Sequence, residues 1–197
     1  MFNDKRHYYV CSFGGCGSWM LCNYLNQFGH IYHIHTRYPP SKLTYAVPSD
    51  DSSDYCFGDV PIPNNELPNY YVIYIYRNPV AAIKSRFQAP EHLRHIGCNP
   101  GITVKQVLYS NRDLYALSHF YNNYSTPKQN YKILFVRYES FFENISMFNK
   151  ILRIPDIKEL YITKKETSRN SNNQPQLERI YSDLIKRMER NPPFMLL

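Results

Sequence analysis

The run Tyr70 to Tyr76, "YYVIYIY", constrains the fold more than any other stretch of the chain. An unbroken apolar and aromatic run without polar alternation marks a strand buried on both faces. Such strands belong to parallel sheets covered by helices on either side. Pro79 follows shortly after and suits the first position of a helix, so a strand-to-helix unit is expected here.

The rest of the chain repeats that alternation. His7 to Phe13 ("HYYVCSF") reads as a short strand ended by glycines. Leu21, Tyr24, Leu25 and Phe28 fall at helical spacing on one face, and Gly29 is expected to end that helix. Ile31 to Thr36 and Lys132 to Val136 ("KILFV") read as further strands. Helices are expected at Val104 to Tyr124, Phe141 to Leu152 and about Leu177 to Arg190. The alternation predicts an α/β protein, a three-layer α/β/α sandwich around a mainly parallel central sheet.

A length of 197 residues suits one domain over 1–197, with a Pro-, Asp-, Ser- and Asn-rich segment at about 37–69 expected as a long loop or lid. The net charge of +7 predicts an anionic ligand or surface. The basic residues are scattered and form no stripe among exposed aromatics, which argues against nucleic acid as the partner. No apolar run is long enough to cross a bilayer. A strand beginning by His7 leaves little room for a targeting segment, and the five cysteines match no zinc spacing, so reduced thiols and a cytoplasmic location are expected.

In a parallel sheet, ligands collect beyond the carboxyl ends of the strands. Two strand ends here are equipped for that. Gly14-Gly15-Cys16-Gly17-Ser18 carries three of the chain's seven glycines between a strand and a helix. Backbone amides and a helix N-terminus can hold an anion there without a charged side chain, and Ser18 adds a hydroxyl. The second end is Arg77, with Ser85 eight residues on in the helix that Pro79 opens. Where P-loop NTPases use an aspartate to hold Mg²⁺, an arginine suits a phosphate bound directly and bidentately. The lysine of GxxxxGK[ST] is absent as well.

Together these residues resemble the sulfotransferase family, which uses 3′-phosphoadenosine-5′-phosphosulfate (PAPS). The family's 5′-phosphosulfate loop, aromatic-Pro-basic-Ser-Gly-Thr-Thr-Trp-Leu, lies without a gap on Phe13 to Leu21. Its 3′-phosphate motif, Arg-Asn/Asp-Pro with a later serine, lies on Arg77-Asn78-Pro79 and Ser85. "ILFVRYESFFEN" looks like the strand that ends in Tyr-Glu-Asp, which would set Tyr138 against the adenine. The C-terminal stretch around Arg169 is similar to the family's basic loop before a final helix.

The resemblance implies a P-loop NTPase-like fold and transfer of a sulfonyl group from PAPS to a hydroxyl or amine, leaving adenosine 3′,5′-bisphosphate, with no metal. Gly14, Gly15, Cys16, Gly17, Ser18 and Trp19 would bind the 5′ end of the donor; Arg77, Ser85 and Arg169 would bind its 3′-phosphate. His35 in "HIHTRYPP" is the nearest match to the family's catalytic base. The acceptor (a sugar, phenol, tyrosine peptide or small metabolite) is not fixed by the sequence.

Two departures stand out. Gly15 occupies the position of the family's lysine or arginine, leaving Arg37, Lys42 or Lys84 as candidate replacements. His35 lies further ahead of Arg77 than the family's histidine does. The alternatives are a non-catalytic PAPS- or nucleotide-binding protein of the same fold and a degenerate P-loop kinase for small molecules. A zinc site from His30, His33 and His35 lacks a cysteine pair at ligand spacing.

Overall fold

The computed structural model describes residues 6–49, 54–87, 93–126, 128–156 and 174–197. Seven strands form one mixed sheet: β1 (His7–Cys11), β2 (His30–Ile34), β3 (Thr44–Pro48), β4 (Tyr55–Pro61), β5 (Tyr70–Tyr76), β6 (Ile133–Arg137) and β7 (Phe194–Leu196), in the order β3-β4-β2-β1-β5-β6-β7. The pairs β2–β1, β1–β5, β5–β6 and β2–β4 are parallel, while β3 and β7 are antiparallel edge strands.

β5 takes the position its apolar run predicts, hydrogen-bonded on both sides and with alternate residues buried on opposite faces. Tyr9, Cys11, Val72, Tyr74, Tyr76, Ile133 and Phe135 point into one core. Tyr8, Val10, Ile73, Ile75, Leu134 and Val136 point into the other. Helices cover both faces. The first core takes α2 (Pro79–Arg86), α3 (Val104–Ser110), α4 (Leu117–Ser125), α6 (Gln174–Ile180) and α7 (Ser182–Arg190). The second takes α1 (Ser18–Leu25) and α5 (Ile145–Leu152), with the helical turn Tyr138–Phe141.

Several expectations are corrected. The segment at 37–69 is no bare loop, because β3 and β4 pair within it and extend the sheet beyond β2. Helix Val104 to Tyr124 is two helices, separated where Asn111 and Ala116 adopt left-handed backbone. The last helix divides likewise between Ile180 and Ser182. β7 was not anticipated. Among the described residues no helix is long and apolar enough to cross a membrane.

Candidate functional site

The carboxyl ends of β1, β5 and β6 lie side by side. Tyr76 pairs with Arg137, so Arg77 and Tyr138 leave their strands at the same level. The glycine loop leaves β1 beside them, since Cys11 pairs with Tyr74. The Arg77 guanidinium carbon stands 4.7 Å from the centre of the Tyr138 ring, a cation–π geometry. That ring also fills the space beside Gly17 that a Cβ would need. Three of the residues expected at the donor site, Gly17, Arg77 and Tyr138, are thus contiguous. Tyr138 is buried between the other two, with 4% of its surface exposed.

The loop owes its shape to backbone that only glycine adopts without strain: φ is +68° at Gly15 and +82° at Gly17. Gly15 packs on α2, where a Cβ would stand 2.7 Å from the Ala82 carbonyl oxygen. The Gly14 amide donates to Ser12 Oγ at 3.2 Å, and the Gly17 carbonyl accepts from Leu21 N at 3.1 Å to start α1. Cys16 is fully buried, and its thiol donates to the Gly14 carbonyl at 3.1 Å. Burial pushes its pKa well above the ordinary thiol value, which disfavours the nucleophilic thiolate.

Asn78 caps α2, accepting from Val80 N at 2.9 Å and Ala81 N at 3.3 Å, while its own amide donates to Glu139 Oε1 at 2.8 Å. Ser85 is exposed on α2. Arg169 lies outside the described residues. Of the cations considered as replacements for the missing basic residue, Arg37 donates to Cys98 Sγ at 2.8 Å, Lys42 is exposed and Lys84 is hydrogen-bonded to Gln174. Besides Arg77, which acts on Cys16, Arg86 lies against the loop, its Cδ 3.2 Å from where a Cβ at Gly14 would stand. Sequence reasoning stopped one residue short of it, at Ser85.

Beyond the loop, on the β2 side, lies a polar cluster. His33 and His35 share a strand face by the period of two, with ring centres 4.4 Å apart. Asp54 joins them because Tyr55, the next residue, pairs with Ile34. His33 Nδ1 lies 2.6 Å from Asp54 Oδ1, and His33 Nε2 lies 2.8 Å from Ser18 Oγ. His95 Nδ1 lies 3.3 Å from the other carboxylate oxygen, Oδ2. Trp19, 54% exposed, sets its ring 5.1 Å from that of His33.

His35 is buried, and its Nδ1 lies 2.7 Å from the Ser12 carbonyl oxygen. A carbonyl only accepts, so Nδ1 carries the proton and Nε2 carries the lone pair. Burial, aided by neighbouring His33, pushes the His35 pKa down to about 3, which makes it a weak base. Burial by itself would raise the Asp54 pKa. The His33 hydrogen bond and the surrounding imidazoles outweigh that and hold the carboxyl well below the usual range.

A separate cleft of about 550 Å³ opens where β5 and β6 begin, lined by residues such as Leu67, Tyr70, Tyr131 and Ile151, at the opposite end of the strands from the glycine loop. Comparison of the chain with family models, with curated proteins and with solved structures found no match in any of the three.

Proposed function

We propose that the chain is a sulfotransferase that moves a sulfonyl group from PAPS to a hydroxyl or amine, on a P-loop NTPase-like scaffold. One observation carries the reading: the glycine loop, Arg77 and Tyr138 converge at the carboxyl ends of three adjacent parallel strands, the place where open α/β sheets bind ligands. In this reading the loop amides and Ser18 hold the 5′-phosphosulfate, and Arg77 with Ser85 holds the 3′-phosphate. Arg86 supplies the charge that Gly15 lacks. Tyr138 acts as the floor beneath the nucleotide and fixes the angle of Arg77. The acceptor oxygen or nitrogen attacks sulfur in line, the bond to the bridging oxygen breaks, adenosine 3′,5′-bisphosphate leaves with the electron pair, and the acceptor's proton passes to water.

Gly15 in the place of the family's basic residue and the burial of His35 favour a second reading, a nucleotide-binding protein of the same fold without transferase activity. Calorimetry with adenosine 3′,5′-bisphosphate in chelator, against ATP with Mg²⁺, tests the donor assignment that both readings share. Binding of the bisphosphate without metal is expected. Binding of ATP–Mg²⁺ alone would transfer the case to a degenerate P-loop kinase. Transfer of labelled sulfate from PAPS to a panel of sugars, phenols and tyrosine peptides then separates enzyme from binding protein.

A further inference from the structure

We propose that His33, His35 and Asp54 form a binding site for one divalent first-row transition metal ion, zinc foremost. Each residue offers one donor atom, and the three atoms lie within 4.8 Å of one another. All three residues are buried, and they come from two segments that the β2–β4 pairing holds together.

The hydrogen bonds on the far sides of the rings point the same way. Histidines that bind a metal through one nitrogen usually anchor the other on an oxygen acceptor, which fixes the tautomer and the ring orientation. His35 Nδ1 is anchored on the Ser12 carbonyl, and His33 Nε2 faces Ser18 Oγ. Their remaining nitrogens are His35 Nε2 and His33 Nδ1, the latter directed at Asp54 Oδ1. The second carboxylate oxygen is steadied by His95.

An independent observation is His35 Nε2 itself. It is buried, it holds a lone pair, and among the described residues it has no hydrogen-bond partner. A buried acceptor left bare is costly, and a bound ion accounts for it.

Two imidazoles and one carboxylate form the mixed nitrogen and oxygen donor set of zinc and of non-haem iron sites, and three protein ligands leave a coordination position open. Donor pairs around a tetrahedral ion lie roughly 3.3 Å apart, so binding draws the three residues in and opens the 2.6 Å His33–Asp54 contact. The Asp54 carboxylate offsets the positive charge of Arg86, which acts on both His35 and Asp54. This inference goes beyond the metal-free sulfotransferase reading and stands or falls separately from it.

The test uses the full chain without a polyhistidine tag, stripped by chelator and titrated with Zn²⁺ against a chromophoric competitor. One equivalent is expected to bind. Affinity should fall in His35→Ala and in Asp54→Asn by at least the roughly 10–100-fold that loss of an outer partner costs a metal site. His30→Ala, an exposed histidine of the same strand, should bind as the parent does. Substitution of Co²⁺ into the parent protein should give the intense visible bands of a four- or five-coordinate ion, a readout independent of whether the variants fold. Failure of the parent to hold Zn²⁺, unchanged affinity in both folded variants, or a cobalt spectrum like that of the aquo ion would each overturn the proposal.

Discussion

Gly15 and Ala82 approach so closely that a Cβ on Gly15 would stand 2.7 Å from the Ala82 carbonyl oxygen. The obstacle is helix backbone, which cannot swing aside. A side chain at this position is therefore excluded by the packing of α2. Gly15→Ala should destabilise the fold by about 1–2 kcal/mol from left-handed strain and about 1–3 kcal/mol from overpacking. Gly15→Lys should lose at least as much and gain no affinity for nucleotide. Urea-unfolding midpoints measure the first claim and calorimetry the second; a Gly15→Lys variant of parental stability would refute the first, and one that bound nucleotide more tightly would refute the second.

Arg77→Ala should weaken binding of adenosine 3′,5′-bisphosphate by about 1.5–3 kcal/mol, a roughly ten- to hundredfold loss, because hydrogen bonds to a phosphate from a charged donor are removed. Arg77→Lys should recover only part, since an ammonium cannot make the bidentate contact. Loss of the contact between half-buried Arg77 and buried Tyr138 costs stability by about 1–2 kcal/mol, so the folded state of the variant is checked by circular dichroism. Unchanged affinity in folded Arg77→Ala would overturn the sulfotransferase reading.

Much of this arrangement was legible in particular residues. β5 announced itself because burial on both faces demands an unbroken apolar run, and Asn78-Pro79 announced α2 because one residue caps it and the other presets its first φ. β3, an edge strand, and β4, its neighbour, stayed hidden because most of their residues are only half-buried or exposed, so the polar composition of 37–69 read as loop. β7 is three residues long, too short for a period to register. The break at Ala116 leaves no trace, because alanine favours helix and its left-handed φ is imposed by the fold. The histidines on β2 could be singled out by their alternation. Asp54 could not, since it lies 21 residues from His33 among other aspartates, and only the β2–β4 register brings it near.

Two buried tyrosines should respond oppositely to loss of the hydroxyl. Among the described residues the Tyr74 hydroxyl is buried with no hydrogen-bond partner, so Tyr74→Phe removes a desolvated polar group while keeping the ring packed on Tyr124. Neutral or higher stability is expected, with a gain of up to about 1 kcal/mol. The Tyr124 hydroxyl donates to the Thr36 carbonyl at 2.7 Å, so Tyr124→Phe strands that acceptor and should cost about 1–2 kcal/mol. Thermal unfolding of the pair measures the difference. Equal effects would mean that the Tyr74 hydroxyl is satisfied in solution.

Stability should fall steeply in alkali, and the buried thiols and phenols set the window. Burial pushes Cys11 from an ordinary value of 9.0 up to about 12 and Tyr115 from 10.0 up to about 12. Tyr74 and Tyr124 are raised well above their ordinary value for the same reason. For each group the unfolded chain loses its proton first. The native state therefore binds more protons above pH 9.0, and stability falls as pH rises. The contribution of these groups is fully present below pH 9.0, begins to be lost as the Cys11 thiol of the unfolded chain ionises, and falls more steeply above 10.0 where the phenols join. For Cys11 and Tyr115 the loss is complete only beyond about 12. Urea-unfolding midpoints taken from about pH 8 to about pH 12 should trace this decline. Tyr115→Phe, which removes a hydroxyl with no hydrogen-bond partner among the described residues, should lose less over the upper part of the window. A midpoint that held steady or rose across the window would show these groups to be hydrated in the native protein.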